Sequence, residues 1–264
     1  MCSRSEGVMK RVKLTIAYDG TNYCGWQIQP NGITVEEVVN RELSRLLQED
    51  IHVIGASRTD SGVHALGNVA VFDTEARIPA EKVSFALNRS LPDDIVVQKS
   101  EEVPKDFHPR FSDSTKTYEY RIWNATFVQP SNRLYTYHVH DALDVEAMQR
   151  AAQFIVGEHD FASFCSVGAQ VQSTVRTVYS VDVIKENELI TIRVTGAGFL
   201  YNMVRIIAGT LLQVGLGSKP AEWVQEVLEA KDRSQAGPTA PAQGLTLMKI
   251  EYAKAAEMNA EAER

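Results

Sequence analysis

A cation and a carboxylate stand two residues apart in Ser57-Arg58-Thr59-Asp60-Ser61-Gly62, a polar stretch between two apolar ones. Two readings of it are open. Asp60 can bond its own backbone in an Asx-type turn, with Gly62 supplying an unusual dihedral. Alternatively the carboxylate is a positioned nucleophile or base. A second charge sits in an unexpected place: Arg205 lies near the middle of the apolar run GAGFLYNMVRIIAGTLLQVGLG, residues 196–217. It pairs either with a buried structural acid or with a catalytic carboxylate. In the second case a guanidinium within hydrogen-bond reach lowers the carboxylate's pKa and keeps it ionised in a dry pocket. Tyr118 shares a strand face with Tyr120 and Ile122. Such a face is core, or else it offers a tyrosine that stacks on a base and exchanges a proton.

Other patterns carry less. Gly196-Ala197-Gly198 resembles the start of a dinucleotide fingerprint, but its third glycine position is Tyr201 and no acidic residue on a following strand comes some twenty residues later. The two glycines are expected to permit close packing where strand meets helix. His138-Val139-His140 puts two imidazoles on one strand face, with no further ligand in view, so no metal is expected. Walker, HExxH and GxSxG patterns are absent, as is the aromatic signature of a passive RNA-recognition sheet. The 264 residues carry 27 Lys and Arg against 34 Asp and Glu, a net charge of −7. That argues against indiscriminate coating of nucleic acid and leaves room for a local basic cleft, since binding follows the field at the site. Cys2, Cys24 and Cys165 form no CxxC, and a reducing, cytoplasmic compartment is expected. No apolar run of signal-peptide length opens the sequence, and the central Arg205 disfavours a membrane span.

The elements that must position these residues follow from periodicity. VKLTIAY (12–18) alternates as a half-buried strand. Thr34 and Glu37 form a capping box for a helix with Val35, Val38, Val39, Leu43, Leu46 and Leu47 on one face. Strands are expected at 51–55, 68–74 and 94–98, with a helix from Pro79 to about Asn88. After a polar connection at 101–116, strand 117–123 is followed by a helix capped by Asp144 and stopped by Gly157. A hairpin of 177–184 and 189–195 turns at Glu186-Asn187; helices at 199–214 and after Pro220 precede the strand 245–252. The fold expected is α+β: two ferredoxin-like β-α-β-β-α-β halves whose antiparallel sheets flank a central cleft. The expected boundaries are 1–110, 111–252 and a fraying helical tail at 253–264.

SRTDSGVHALG (57–67), YDGTNYCGWQIQ (18–29), FHPRFSDSTKTYEYRI (107–122), GEHDFASF (157–164), GFLYNMVRIIAGTLLQVG (198–215) and PTAPAQGL (238–245) occur in one order over about residues 12–252. In this the chain resembles the bacterial tRNA pseudouridine synthase A family. The resemblance implies isomerisation of uridine to pseudouridine on the 3′ side of the tRNA anticodon stem-loop, positions 38–40, by a homodimer that uses no cofactor or metal. It implies Asp60 as the catalytic aspartate, Arg58 as the arginine that displaces the target base, Tyr118 as the active-site tyrosine and Arg205 as the basic partner of the aspartate. Leu245 matches the small apolar residue lining the substrate pocket. Three departures from the family stand out: Ser57 replaces a glycine, Cys165 an arginine, and Tyr201-Asn202 more basic residues. The rival reading is a non-catalytic RNA-binding module, which has no use for a carboxylate facing RNA phosphates.

Overall fold

The computed structural model describes residues 9–168 and 171–253. The chain divides into two compact units, one running up to Ser112 and the other comprising Asp113–Tyr252. Both are mixed α+β. The helical tail expected at 253–264 lies, beyond Ala253, outside the described residues.

In the first unit the alternation of β1 (Lys10–Tyr18) buries Val12, Leu14 and Ile16 completely. A buried aliphatic side chain of this kind contributes about 1.5–3 kcal/mol. β1 is the middle strand, pairing antiparallel with β3 (His64–Thr74) and with β4 (Ile95–Val103). A two-residue β2 (Ile54–Gly55) pairs with β3, so the order is β4-β1-β3-β2. Helices α1 (Val35–Leu47) and α2 (Ala80–Leu87) complete the unit. Thr34 caps α1 by accepting the Glu37 amide at 3.3 Å, while the carboxylate of Glu36 accepts the Ile28 amide at 2.9 Å.

The strand expected at 51–55 is mostly lost. Side chains of α1 take its backbone donors: Ser44 accepts the Ile51 amide and Asn40 the Val53 amide, each at 2.9 Å. β3 begins four residues earlier than expected, because Tyr18 pairs with Ala65 beyond an irregularity in the β1 register. β4 runs on to Val103, its polar end held by the Lys13–Glu101 ion pair at 2.8 Å. Pro79 precedes α2 as its cap residue.

In the second unit β5 (Ser114–Asn124) lies between β10 (Leu245–Tyr252) and β9 (Leu189–Gly196), antiparallel to both. The sheet continues through β8 (Val175–Glu186) to β7 (Gly157–Asp160), and β6 (Tyr137–Val139) runs parallel to the end of β5. Neither β6 nor β7 is legible as an apolar alternation. The helices are α3 (Val145–Ala152), α4 (Met203–Gly215) and α5 (Trp223–Ala230). Asp144 caps α3 through the Ala147 amide at 2.9 Å. α3 tightens into a 3-10 turn at Gln153–Ile155, and Gly157, at φ 121°, then starts β7. The β8–β9 turn falls one residue later than expected, at Asn187 and Glu188, with Asn187 at φ 55°. α4 starts at Met203 rather than 199 because Asn202 adopts the left-handed conformation, φ 61°.

Candidate active site

The first unit shapes the segment carrying Asp60. Along 57–60 burial alternates: Ser57 and Thr59 are buried, Arg58 is exposed and Asp60 half-buried. The buried side is locked. Thr59 Oγ1 meets the hydroxyl of Tyr18 at 2.8 Å, and the amide of Asn68 donates both to that hydroxyl (3.2 Å) and to the Ser57 carbonyl (3.0 Å). Beyond Asp60 the Val63 amide donates to the Asp60 carbonyl at 3.1 Å, and Gly62 takes φ 77°. The stretch thus ends in a backbone turn in which Gly62 supplies the unusual dihedral.

A second segment cradles the first. Trp26 donates its amide to the Thr59 carbonyl at 3.1 Å, and Tyr23 accepts the Gly62 amide at 3.3 Å. Gly25 sits at φ 83° with its backbone so close that a Cβ there would stand 2.5 Å from the Thr59 carbonyl oxygen. Nothing in the sequence alone assigned YDGTNYCGW this task; the signal was only its place among the family motifs. The Ser57 hydroxyl is buried without a hydrogen-bond partner, as is the indole N–H of Trp26.

The second unit holds the other candidates. Tyr118 is buried on β5 with its ring edge-on to Phe199, centroids 5.3 Å apart. Leu245 is buried at the start of β10, and the register sets Leu245 opposite Tyr120 and Leu247 opposite Tyr118. Tyr120 is core: it is fully buried, and its hydroxyl donates to the Pro241 carbonyl at 2.8 Å. Burial pushes the Tyr120 phenol well above its ordinary value, so it stays neutral. Arg205 is half-buried on α4. Its Nε donates to the Ala240 carbonyl and its Nη1 to Asn202 Oδ1, both at 2.8 Å. Asn202, noted only as a departure from the family, also donates to Ser166 Oγ at 2.9 Å and so braces the arginine. Segment 237–244 lies tight on α4, since a Cβ at Gly209 would come within 1.8 Å of the Pro238 carbonyl oxygen.

A family model described as tRNA pseudouridine synthase matches residues 14–112 and 151–253. The tRNA pseudouridine synthase A of Ruminiclostridium cellulolyticum is 52% identical over 245 residues, covering 92% of this chain and 100% of that protein. That of Acetivibrio thermocellus is 49% identical over 244 residues, covering 92% and 100%. The chain belongs to the tRNA pseudouridine synthase family.

Within that family's motifs, several other sequence features find structural roles. Gly196 is crowded, a Cβ there coming within 2.8 Å of the Thr177 carbonyl oxygen, whereas Gly198 faces open space and serves no close packing. His138 and His140 are hydrogen-bonded to the carbonyls of Ala125 (2.7 Å) and Thr126 (3.2 Å). Among the described residues no group of three or more His, Cys, Asp or Glu is placed to hold a metal ion. Cys24 and Cys165 are free thiols; Cys2 lies outside the described residues. Among the described residues no helix is long and apolar enough to cross a membrane.

Proposed function

We propose that this chain converts uridine to pseudouridine on the 3′ side of the tRNA anticodon stem-loop, with Asp60 as its catalytic carboxylate. Membership of the family makes it an isomerase acting on tRNA. The observation that carries the site assignment is the locked Asp60 segment: Ser57 and Thr59 are buried and held by Tyr18 and Asn68, while Arg58 is exposed and Asp60 half-buried. Such preorganisation is what positioned chemistry requires.

In the reaction the N1–C1′ bond breaks, the ring turns, and C5 joins C1′. The proton on C5 leaves and N1 ends protonated, so no group or electron is lost. A stacked, paired uridine is unreachable, and extruding it costs a few kcal/mol. Arg58 fills the vacated space and offsets part of that cost. Asp60, held anionic by Arg205, attacks C1′, adds to C6 or removes the C2′ proton. Tyr118 stacks on the detached base and takes the C5 proton. Leu245 belongs to the apolar wall that keeps the detached uracil from escaping.

The strand orders β4-β1-β3-β2 and β10-β5-β9-β8, each with helices between its strands, support two ferredoxin-like halves. The working form is a cytoplasmic homodimer. The deciding experiment is Asp60→Asn assayed by tritium release from C5-labelled uridine in tRNA. Release should vanish while tRNA affinity stays within about twofold; substantial residual turnover refutes the assignment. Normal binding of tRNA by a wild-type chain that forms no pseudouridine would favour the RNA-binding module instead.

A further inference from the structure

Asp94 stands outside all the motifs by which the chain resembles its family, yet it anchors the cradle of the Asp60 segment. Between Tyr18 at the end of β1 and α1, residues 19–26 join no strand and form a single 3-10 turn, Gly20–Asn22. From this irregular stretch the Tyr23 carbonyl bears on the Asp60 loop. It accepts both the Gly62 amide and the Ser61 hydroxyl, each at 3.3 Å. These donors belong to the two residues directly after Asp60, and Gly62 is the one held at φ 77°.

Tyr23 is fixed in turn by Asp94. Its ring is buried, and its hydroxyl donates to Asp94 Oδ1 at 2.5 Å. The Asp94 carbonyl accepts the Asp19 amide at 3.0 Å, so one residue holds the stretch at both 19 and 23. Asp94 has a rigid base of its own: it immediately precedes β4, whose Ile95 pairs with Tyr18. Burial and the Asp94 carboxylate push the Tyr23 phenol well above its ordinary value, so it stays neutral and remains a donor. A hydrogen bond from a hydroxyl to a carboxylate is roughly twice as strong as one between neutral groups. The contacts thus run from Asp94 through Tyr23 to the turn that follows Asp60.

We propose that Asp94 is a positioning residue for the reaction: it fixes Tyr23, and the Tyr23 carbonyl holds the turn that sets Asp60 in place. The proposal rests on the assignment of Asp60 made above. Tyr23→Phe and Asp94→Ala break the contact from its two ends, the first keeping both ring and carbonyl. Asp94→Asn keeps an acceptor for the hydroxyl. Single-turnover pseudouridine formation is measured at saturating tRNA, together with the Kd for tRNA, a thermal melt and hydrogen exchange of the Gly62 amide. Either loss should slow the saturated rate about tenfold, because a slightly misplaced reacting group is costly, while Kd stays within about twofold. The double variant should be no slower than either single one, as two groups acting through one contact require. Asp94→Asn should recover most of the rate. Exchange at Gly62 should quicken about tenfold while the β1–β3 amides stay protected. Wild-type rate and wild-type Gly62 exchange in folded variants overturn the proposal. So do multiplying losses in the double variant, or exchange that quickens equally along β1 and β3, either of which makes Asp94 a general structural tie. If Asp94→Ala does not fold, Tyr23→Phe decides by the same rate and exchange. Exchange is read without turnover, so failure of the Asp60 assignment, seen as turnover by Asp60→Asn, is not mistaken for failure of this contact.

Discussion

The hydroxyl of Tyr18 lies 2.8 Å from Oγ1 of Thr59, the residue immediately before Asp60. Tyr18 ends β1, and Asn68, which also donates to this hydroxyl, sits fully buried in β3. The placement of Asp60 therefore depends on a buried network rooted in two central strands. Removing the hydroxyl in Tyr18→Phe leaves Thr59 and Asn68 under-satisfied and should cost about 1–2 kcal/mol in urea unfolding. Single-turnover pseudouridine formation should fall at least tenfold through loss of loop order, with tRNA affinity nearly intact. Wild-type turnover in a well-folded variant would detach this network from the chemistry.

Ser57 presents the opposite case. Its hydroxyl is buried with no partner, so it is desolvated without compensation. Ser57→Ala should leave stability unchanged or raise it by up to about 1 kcal/mol, because an unmade hydrogen bond is not lost. A drop of several degrees in the melting temperature would mean that the hydroxyl makes a bond after all.

Gly209 lies within α4, where alanine would ordinarily favour the helix by about 1 kcal/mol. Here the added Cβ meets the Pro238 carbonyl oxygen at 1.8 Å, and a backbone atom cannot rotate away. Gly209→Ala should therefore destabilise by about 1–3 kcal/mol and displace segment 237–244. Because Ala240 anchors Arg205 through two hydrogen bonds, activity should fall along with stability. A more stable, fully active variant would show that the segment does not position Arg205.

Glu119 is buried on the face of β5 opposite Tyr118 and accepts from Arg121 (2.9 Å) and Arg193 (2.8 Å). Burial pushes its carboxyl up, but the two arginines outweigh that and hold it below the usual carboxylate range. A lowered folded-state pKa gives stability that is complete above the unfolded value, about 4.3, and is lost as pH falls through the folded value. Glu119→Gln should cost about 1–3 kcal/mol at pH 7. Its deficit relative to wild type should shrink steadily below about pH 4 in urea titrations. A deficit independent of pH down to about pH 2 would exclude the ion pairs as its source.

Local chemistry accounts for what was legible before any coordinates. The alternation of Val12, Leu14 and Ile16, the caps at Thr34 and Asp144, and the limits of strand 245–252 each depend on neighbours a few residues away. Asp60, Arg58, Tyr118, Arg205 and Leu245 were named from motif types and order, which needs no distance. Contacts between residues far apart in the chain decided the rest. Asn40 and Ser44 drew the amides of 51–53 away from a strand, and β6 and β7 exist only because β5 and β8 offer them edges. The support beneath the stretch around Asp60 came from Tyr18, Gly25, Trp26 and Asn68, which pack on its buried residues. An amide or hydroxyl left without water takes whatever partner folding brings within reach, and no local pattern encodes which partner that is.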